Sequence, residues 1–302
     1  MRGAFCPAKG GTPMRLYRTD LAVEAAAEFE QRLPHGVSMQ EETRGSARIT
    51  RITIDTDDAA RRLGRPCGRY ITIETPPVCE SSGADDATHA CAAELQSLLP
   101  KSGPVLVVGL GNDRITPDAL GPRAARQILA TRHIPRELAA RTGLGTLRPV
   151  AVIAPGVLGQ TGIETGEIVH SVARDLSPAA VIVIDALASR SLDRLGRTIQ
   201  LADSGISPGS GVFNARRELN AATLGAPVVS IGIPTVVDGE TLARDILHDA
   251  DDRVAAPGAD AMMVTPRDID AVIDRGAKTL SFSINAALQP QLSLEDIVYL
   301  TS

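Results

Sequence analysis

The chain has 302 residues, carries a formal net charge of −5 at pH 7, and is 43% hydrophobic but only 2% aromatic, with no tryptophan. An acidic balance without a Lys/Arg run argues against binding to a phosphate backbone, and so few rings leave no base-stacking platform or aromatic carbohydrate cleft. The length fits one large α/β domain or two small ones, whose core must be built from Val, Ile, Leu and Ala.

The first sixteen residues (MRGAFCPAKGGTPMRL) are rich in Gly and Pro, lack periodicity and hold no apolar core of a secretory signal, so they read as a flexible arm. An Ala/Glu-rich helix is predicted over residues 21–33. Residues 47–54 (ARITRITI) and 69–74 (RYITIE) alternate in polarity and read as paired, half-exposed strands. Residues 89–99 are helical.

Beyond Ser102-Gly103 the character changes. Residues 104–108 (PVLVV), 149–153 (PVAVI), 179–184 (AAVIVI) and 227–231 (PVVSI) are short runs that are almost wholly apolar, as in parallel strands buried on both faces. Helices are predicted between them over 117–133 and 165–176, with a shorter one near 189–195. Residues 197–202 (RTIQLA) alternate and read as an edge strand. Two further helices are expected at 239–250 and 266–288, the second with Thr265 as N-cap and Pro266 at its first position. The pattern specifies an α/β fold in three layers, a mostly parallel sheet flanked by helices.

The cysteines are Cys6, Cys67, Cys79 and Cys91, without a C-x-x-C pair, which points to a reducing compartment; Cys67, Cys79, His89 and Cys91 fit no usual zinc spacing. The apolar stretch 179–188 is broken by Asp185 and too short to span a bilayer. A soluble intracellular protein, with no nucleic-acid or membrane partner, no cofactor and no metal, is expected.

In open α/β sheets ligands bind beyond the carboxyl ends of the strands. Two acids stand out there. Asp185 follows five apolar residues, and Asp118 lies at the start of the helix after the first core strand, behind Thr116-Pro117. Taken singly, each also fits a helix-start or loop-organising acid. Brought over one cleft by neighbouring strands, two carboxylates cannot both ionise easily; one keeps a proton while the other activates water. That chemistry hydrolyses an amide without Ser or Cys as nucleophile.

Competing motifs are weaker. Gly109-Leu110-Gly111 begins like a dinucleotide fingerprint, but Arg114 stands at the third glycine position. Gly205-Ile206-Ser207-Pro208-Gly209 has the spacing of a nucleophile elbow, yet Pro208 lacks the N–H that an oxyanion hole requires there. No H-E-x-x-H motif occurs.

Longer blocks carry a family resemblance. They are Arg18-Thr19-Asp20-Leu21-Ala22-Val23-Glu24; Val108-Gly109-Leu110-Gly111-Asn112 continuing to Thr116-Pro117-Asp118-Ala119-Leu120-Gly121-Pro122; and Ala154-Pro155-Gly156-Val157 with Thr161-Gly162-Ile163-Glu164-Thr165. Ile184-Asp185-Ala186-Leu187-Ala188, Asp203-Ser204-Gly205-Ile206, Gly232-Ile233-Pro234-Thr235-Val236-Val237-Asp238 and Met263-Val264-Thr265-Pro266 follow in order. Together these resemble the germination protease family of spore-forming bacteria.

The resemblance implies a fold similar to hydrogenase maturation proteases and an atypical aspartic-type endopeptidase that starts the degradation of small acid-soluble spore proteins in the spore core. It implies a zymogen that trims its own N-terminus between Asp20 and Leu21, leaving residues 1–20 as propeptide and 21–302 as one protease domain with an N-terminal elaboration over 21–102. It also implies a homotetramer. The family's two essential aspartates fall on Asp118 and Asp185, with Glu164, Asp203 and Asp238 as supporting candidates. Two departures stand out: Ser207 where many relatives have His, and a short segment, 239–262, where many carry a long arm. They leave two alternatives, a catalytically impaired homologue acting as a binding protein and a metal-dependent maturation-type protease.

Overall fold

The computed structural model describes residues 19–29, 32–81, 83, 85–135, 137, 147–206, 218–246 and 262–301. The expected N-terminal arm, Ser207 and the end of the helix expected at 239–250 lie outside the described residues.

The strands are β1 (Val37–Arg44), β2 (Ala47–Ile54), β3 (Gly68–Glu74), β4 (Val105–Gly109), β5 (Val150–Ile153), β6 (Ala180–Ser189), β7 (Thr198–Ala202), β8 (Val228–Asp238) and β9 (Met263–Val264). They form one sheet in the order β1-β2-β3-β7-β8-β6-β4-β5, with β9 paired to β8. The half made of β8, β6, β4 and β5 is parallel, as the apolar runs predict. The strands of the N-terminal segment join that sheet antiparallel, through β3 on β7 and β7 on β8.

The helices are α1 (Ala22–Ala27), α2 (Asp57–Leu63), α3 (Asp86–Leu98), α4 (Leu120–Ala125), α5 (Leu158–Thr161), α6 (Thr165–Leu176), α7 (Ala221–Leu224), α8 (Gly239–Ile246), α9 (Ile269–Leu288) and α10 (Leu294–Thr301). Local chemistry sets several ends. The Thr56 hydroxyl accepts the Ala59 N–H at 3.2 Å to start α2, and Gly64, at φ +63°, ends it. Asp85 accepts the Thr88 N–H at 3.0 Å to start α3.

Strand alternation divides the core. Val105, Val107, Ile182, Ile184, Ile199, Leu201, Ile231 and Ile233 pack towards α3, α4 and α9. Their neighbours Leu106, Val108, Val181, Val183 and Val228 face α6 and α7 on the opposite side. On that second side, but at the other end of the sheet, Ile52, Ile54 and Tyr70 pack against α1 and α2. The result is the expected sheet between two helical layers. On the second side the layer is divided, and among the described residues no helix covers the strands between its two groups.

Several local expectations are corrected. β7 is interior rather than an edge strand: Ile71 and Ile73 of β3 flank it on one side and Ile231 of β8 on the other. Its alternation arises because Gln200 turns towards the uncovered strip while Ile199 and Leu201 enter the core. α1 is short, and the predicted 117–133 helix is reduced to α4. Thr265 does not cap α9; its hydroxyl donates to the Thr235 carbonyl at 3.0 Å, and α9 begins at Ile269. The predicted helix near 189–195 is a single tight turn at Leu192–Arg194, because β6 runs on to Ser189. β1, α2 and α10 were not expected.

Candidate active site

The uncovered strip is the floor of a cleft of about 530 Å3, and Asp118 and Asp185 both line it. Asp185 lies within β6 rather than at its end, in register with Gly232 of β8. On the side away from Ile182 and Ile184 its carboxylate meets the trench, and its Oδ1 accepts the Ala186 N–H at 2.9 Å. Gly232 keeps the floor low. A Cβ there would sit 2.3 Å from the Asp185 carbonyl oxygen and 2.7 Å from Leu187 Cγ.

Asp118 closes a tight turn (Thr116–Asp118) just before α4. Its Oδ2 accepts the Asn112 N–H at 2.8 Å, so the carboxylate folds the loop after β4 back on itself instead of capping the helix. Gly111, at φ +117°, is required for that return, since a Cβ would lie 2.0 Å from the Asp118 carbonyl oxygen. The turn is pinned from β8: the Thr235 hydroxyl donates to the Pro117 carbonyl at 2.8 Å. Gly121 brings α4 onto the sheet, where a Cβ would lie 2.2 Å from the Leu110 carbonyl oxygen and 2.6 Å from that of Ile184. With Leu110 N–H bonded to Ile184 O at 2.8 Å, the Asp118 loop is fixed against the residue preceding Asp185.

The N-terminal junction is in the same cleft. Asp20 lines it. Its N–H donates to Ala188 O at 2.8 Å and its Oδ2 accepts the Ala188 N–H at 2.7 Å. The Arg65 guanidinium donates to the Thr19 carbonyl, and Gln200 Nε2 donates to the Asp20 carbonyl at 2.9 Å. Leu21 is fully buried. Glu24, also buried, accepts the backbone N–H groups of Arg190 and Ser191 at 2.7 and 3.1 Å. Asp20 therefore does not cap α1, which has no side-chain cap.

The remaining candidates are placed elsewhere. Asp203 accepts Arg69 N–H and Nε, both at 2.7 Å, tying β3 to the end of β7. Asp238 is buried at the end of β8 and accepts the Thr241 N–H at 3.0 Å, starting α8. Glu164 immediately precedes α6; it is the next residue, Thr165, that lines the cleft. Sequence reasoning missed Arg65, Tyr70, Gln200 and Thr235. Gln200 carried a signal, a polar residue inside an otherwise apolar strand.

Apolar groups border the mouth. Ile115 and Met263 line it while 54% and 39% exposed, and Leu158 and Ile163, in and after α5, are also exposed. Gln160 ties α5 to the Asp118 loop by donating to Asn112 Oδ1 at 2.7 Å. Burial raises the Tyr70 phenol above its ordinary pKa, and its hydroxyl donates to Pro66 O at 2.7 Å. Among the described residues no cluster of three or more His, Cys, Asp or Glu side chains is placed to hold a metal ion. No described helix is long and apolar enough to cross a membrane.

The fold and cleft define an α/β protein in which two carboxylates, Asp118 and Asp185, line one open trench, an arrangement that hydrolytic chemistry can use. A family model described as germination protease matches residues 18–250. The germination protease of Clostridium perfringens is 40% identical over 317 residues, covering 93% of this chain and 97% of the relative. That of Clostridium tetani is 40% identical, with 93% and 98% covered, and that of Bacillus velezensis 35%, with 93% and 95% covered. Among solved structures, the NiFe hydrogenase maturation protease HycI of Thermococcus kodakarensis aligns with a TM-score of 0.36 at 16% identity, over 63% of this chain and 98% of that one. This chain belongs to the germination protease family. It is a peptidase.

Proposed function

We propose that this peptidase is an aspartic-type endopeptidase that initiates the degradation of small acid-soluble spore proteins in the spore core, and that it is made as a zymogen that cuts itself between Asp20 and Leu21. The observation that carries this reading is the sharing of one cleft by Asp118, Asp185 and Asp20. Two carboxylates supply the acid and the base that water attack on an amide needs. The trench between two helical groups suits an extended peptide, which binds as a strand and lays its apolar side chains against an apolar rim.

In this reading the ionised carboxylate of the pair takes a proton from water as the oxygen attacks the peptide carbonyl carbon. The protonated one donates to the leaving nitrogen. Mild acidification keeps one of the two protonated and therefore speeds the self-cut.

The deciding experiment incubates the purified protein with a small acid-soluble spore protein and maps the products by mass spectrometry. Internal cuts after an acidic residue, lost in Asp185→Asn, support the reading. An intact substrate overturns it and leaves a binding protein. Cleavage abolished by a chelator and restored by a divalent cation transfers the chemistry to a metal held by the same pair.

A further inference from the structure

We propose that Gln200 is the electrophilic group of the site: its side-chain amide stabilises the oxyanion that forms on the carbonyl of the bond being cut. The inference rests on the Asp20–Leu21 self-cleavage proposed above and adds to it a residue that neither the motifs nor the carboxylate pair identifies.

Three observations carry it. The first is the row across the sheet. Thr72 of β3, Gln200 of β7, Gly232 of β8 and Asp185 of β6 are successive register partners. Partners in register present their side chains on the same face, so Gln200 and Asp185 both face the cleft, two strand spacings or about 10 Å apart at their Cα atoms. Between them Gly232 has no side chain. The two groups reach into the same trench from opposite sides.

The second is the hydrogen-bonding of Gln200 itself, a side chain only 5% exposed. Its Oε1 accepts from both the Thr72 hydroxyl and the Ala22 N–H, each at 3.1 Å. The backbone N–H can only donate, so the amide orientation is fixed and Nε2 must point the other way. There it donates to the Asp20 carbonyl at 2.9 Å, and that carbonyl belongs to the Asp20–Leu21 bond.

The third is how the acidic residue is held. Ala188 binds the N–H and the carboxylate of Asp20 through its own backbone, and Arg65 binds the preceding carbonyl. The segment is therefore held on both sides of Asp20, with the carbonyl oxygen of the bond to be cut on a prearranged donor. A donor of this kind, held in place before reaction, stabilises developing negative charge without reorganisation cost.

In the step so assisted, water oxygen bonds to the Asp20 carbonyl carbon while its proton passes to the ionised carboxylate of the pair. The carbonyl π electrons move onto the oxygen facing Gln200 Nε2. When that oxygen re-forms its double bond, the carbon–nitrogen bond breaks and the Leu21 nitrogen takes a proton from the other carboxyl group. The products are the Asp20 acid and the Leu21 amine.

The test follows self-cleavage of the full chain by intact mass, with Asp185→Asn as reference. Gln200→Glu preserves shape and the Oε1 acceptor but, once ionised, has no donor. Its rate is expected to fall at least 100-fold at neutral pH, and the deficit against wild type to shrink in acid, where the introduced carboxyl regains an O–H donor. A residue that only fills space there, without donating a hydrogen bond, predicts no such narrowing. Thr72→Val, which removes one of the two donors that hold Oε1 without touching the cut segment, is expected to slow the cut about fivefold and decides the matter if the Gln200 variant does not fold. If Asp185→Asn is inert while Gln200→Glu, or Thr72→Val in its place, cuts at the wild-type rate, the inference is overturned and the proposed function stands. If Asp185→Asn itself still cuts, the underlying reading fails, and the inference with it.

Discussion

Asp20 and Ala188 exchange two hydrogen bonds: the Asp20 N–H donates to the Ala188 carbonyl at 2.8 Å, and the Ala188 N–H donates to the Asp20 carboxylate at 2.7 Å. Ala188 lies three residues beyond Asp185 on β6, so this pair seats the N-terminal segment on the strand that bears Asp185. The side chain is read by a backbone N–H. That fact sets the first prediction. Asp20→Ala loses the contact, a hydrogen bond to a charged group contributing about 1.5–3 kcal/mol, and is expected to slow the self-cut at least tenfold. Asp20→Asn keeps an oxygen acceptor and should be affected less. N-terminal sequencing after acid incubation reads both, with a new terminus at Leu21-Ala22-Val23 as the signature.

For the aspartate pair, Asp118→Asn and Asp185→Asn should each remove cleavage while leaving circular dichroism unchanged, because an amide neither takes nor gives the proton required. Asp118→Asn should also lower stability slightly, since the carboxylate that accepts the Asn112 N–H is replaced by a neutral acceptor. Near-normal turnover in either variant would exclude the two-aspartate mechanism.

Gly121 is predicted to tolerate no side chain. A Cβ would lie 2.2 Å from the Leu110 carbonyl and 2.6 Å from that of Ile184, both backbone atoms that cannot swing away. Gly121→Ala should cost about 1–3 kcal/mol in urea unfolding, the usual range for overpacking. It should also lower turnover more than it weakens substrate binding, because α4 carries the Asp118 turn.

The thiols supply a pH test. Burial pushes the Cys91 thiol up to about 12, whereas Cys67 is exposed. A thiol reagent at pH 8 should label Cys67 in the folded protein and leave Cys91 unmodified until denaturant is added, as peptide mapping would show. Because the folded pKa lies above the unfolded one, Cys91 contributes stability that is full below about pH 9, the ordinary thiol value, and is lost as pH rises towards 12. Cys91→Ala should flatten that alkaline decline.

Sedimentation at micromolar concentration tests the homotetramer implied by the family resemblance. A monomer would contradict it and direct attention to the short 239–262 segment.

The sequence by itself determined the parallel half of the sheet, because strands buried on both faces must be continuously apolar, as residues 105–108 and 180–184 are. It also singled out Asp185, the acid that breaks such a run, and Asp118, at the start of the helix after the first core strand, although Asp185 lies within β6 and not at its end. Local pattern was a poor guide where burial was one-sided or absent. β1 (VSMQEETR) is largely exposed and carries no apolar alternation, and β7 reads as an edge strand from its alternation because its polar Gln200 faces a cleft that only the assembled sheet creates. What the tertiary structure decided was juxtaposition. It placed Gly232 between Gln200 and Asp185, Thr235 beneath the Asp118 turn, and Asp20 beside Ala188, some 170 residues on. The members of each pairing are distant in the chain, and no periodicity records them, because strand order and register arise from how the whole core packs.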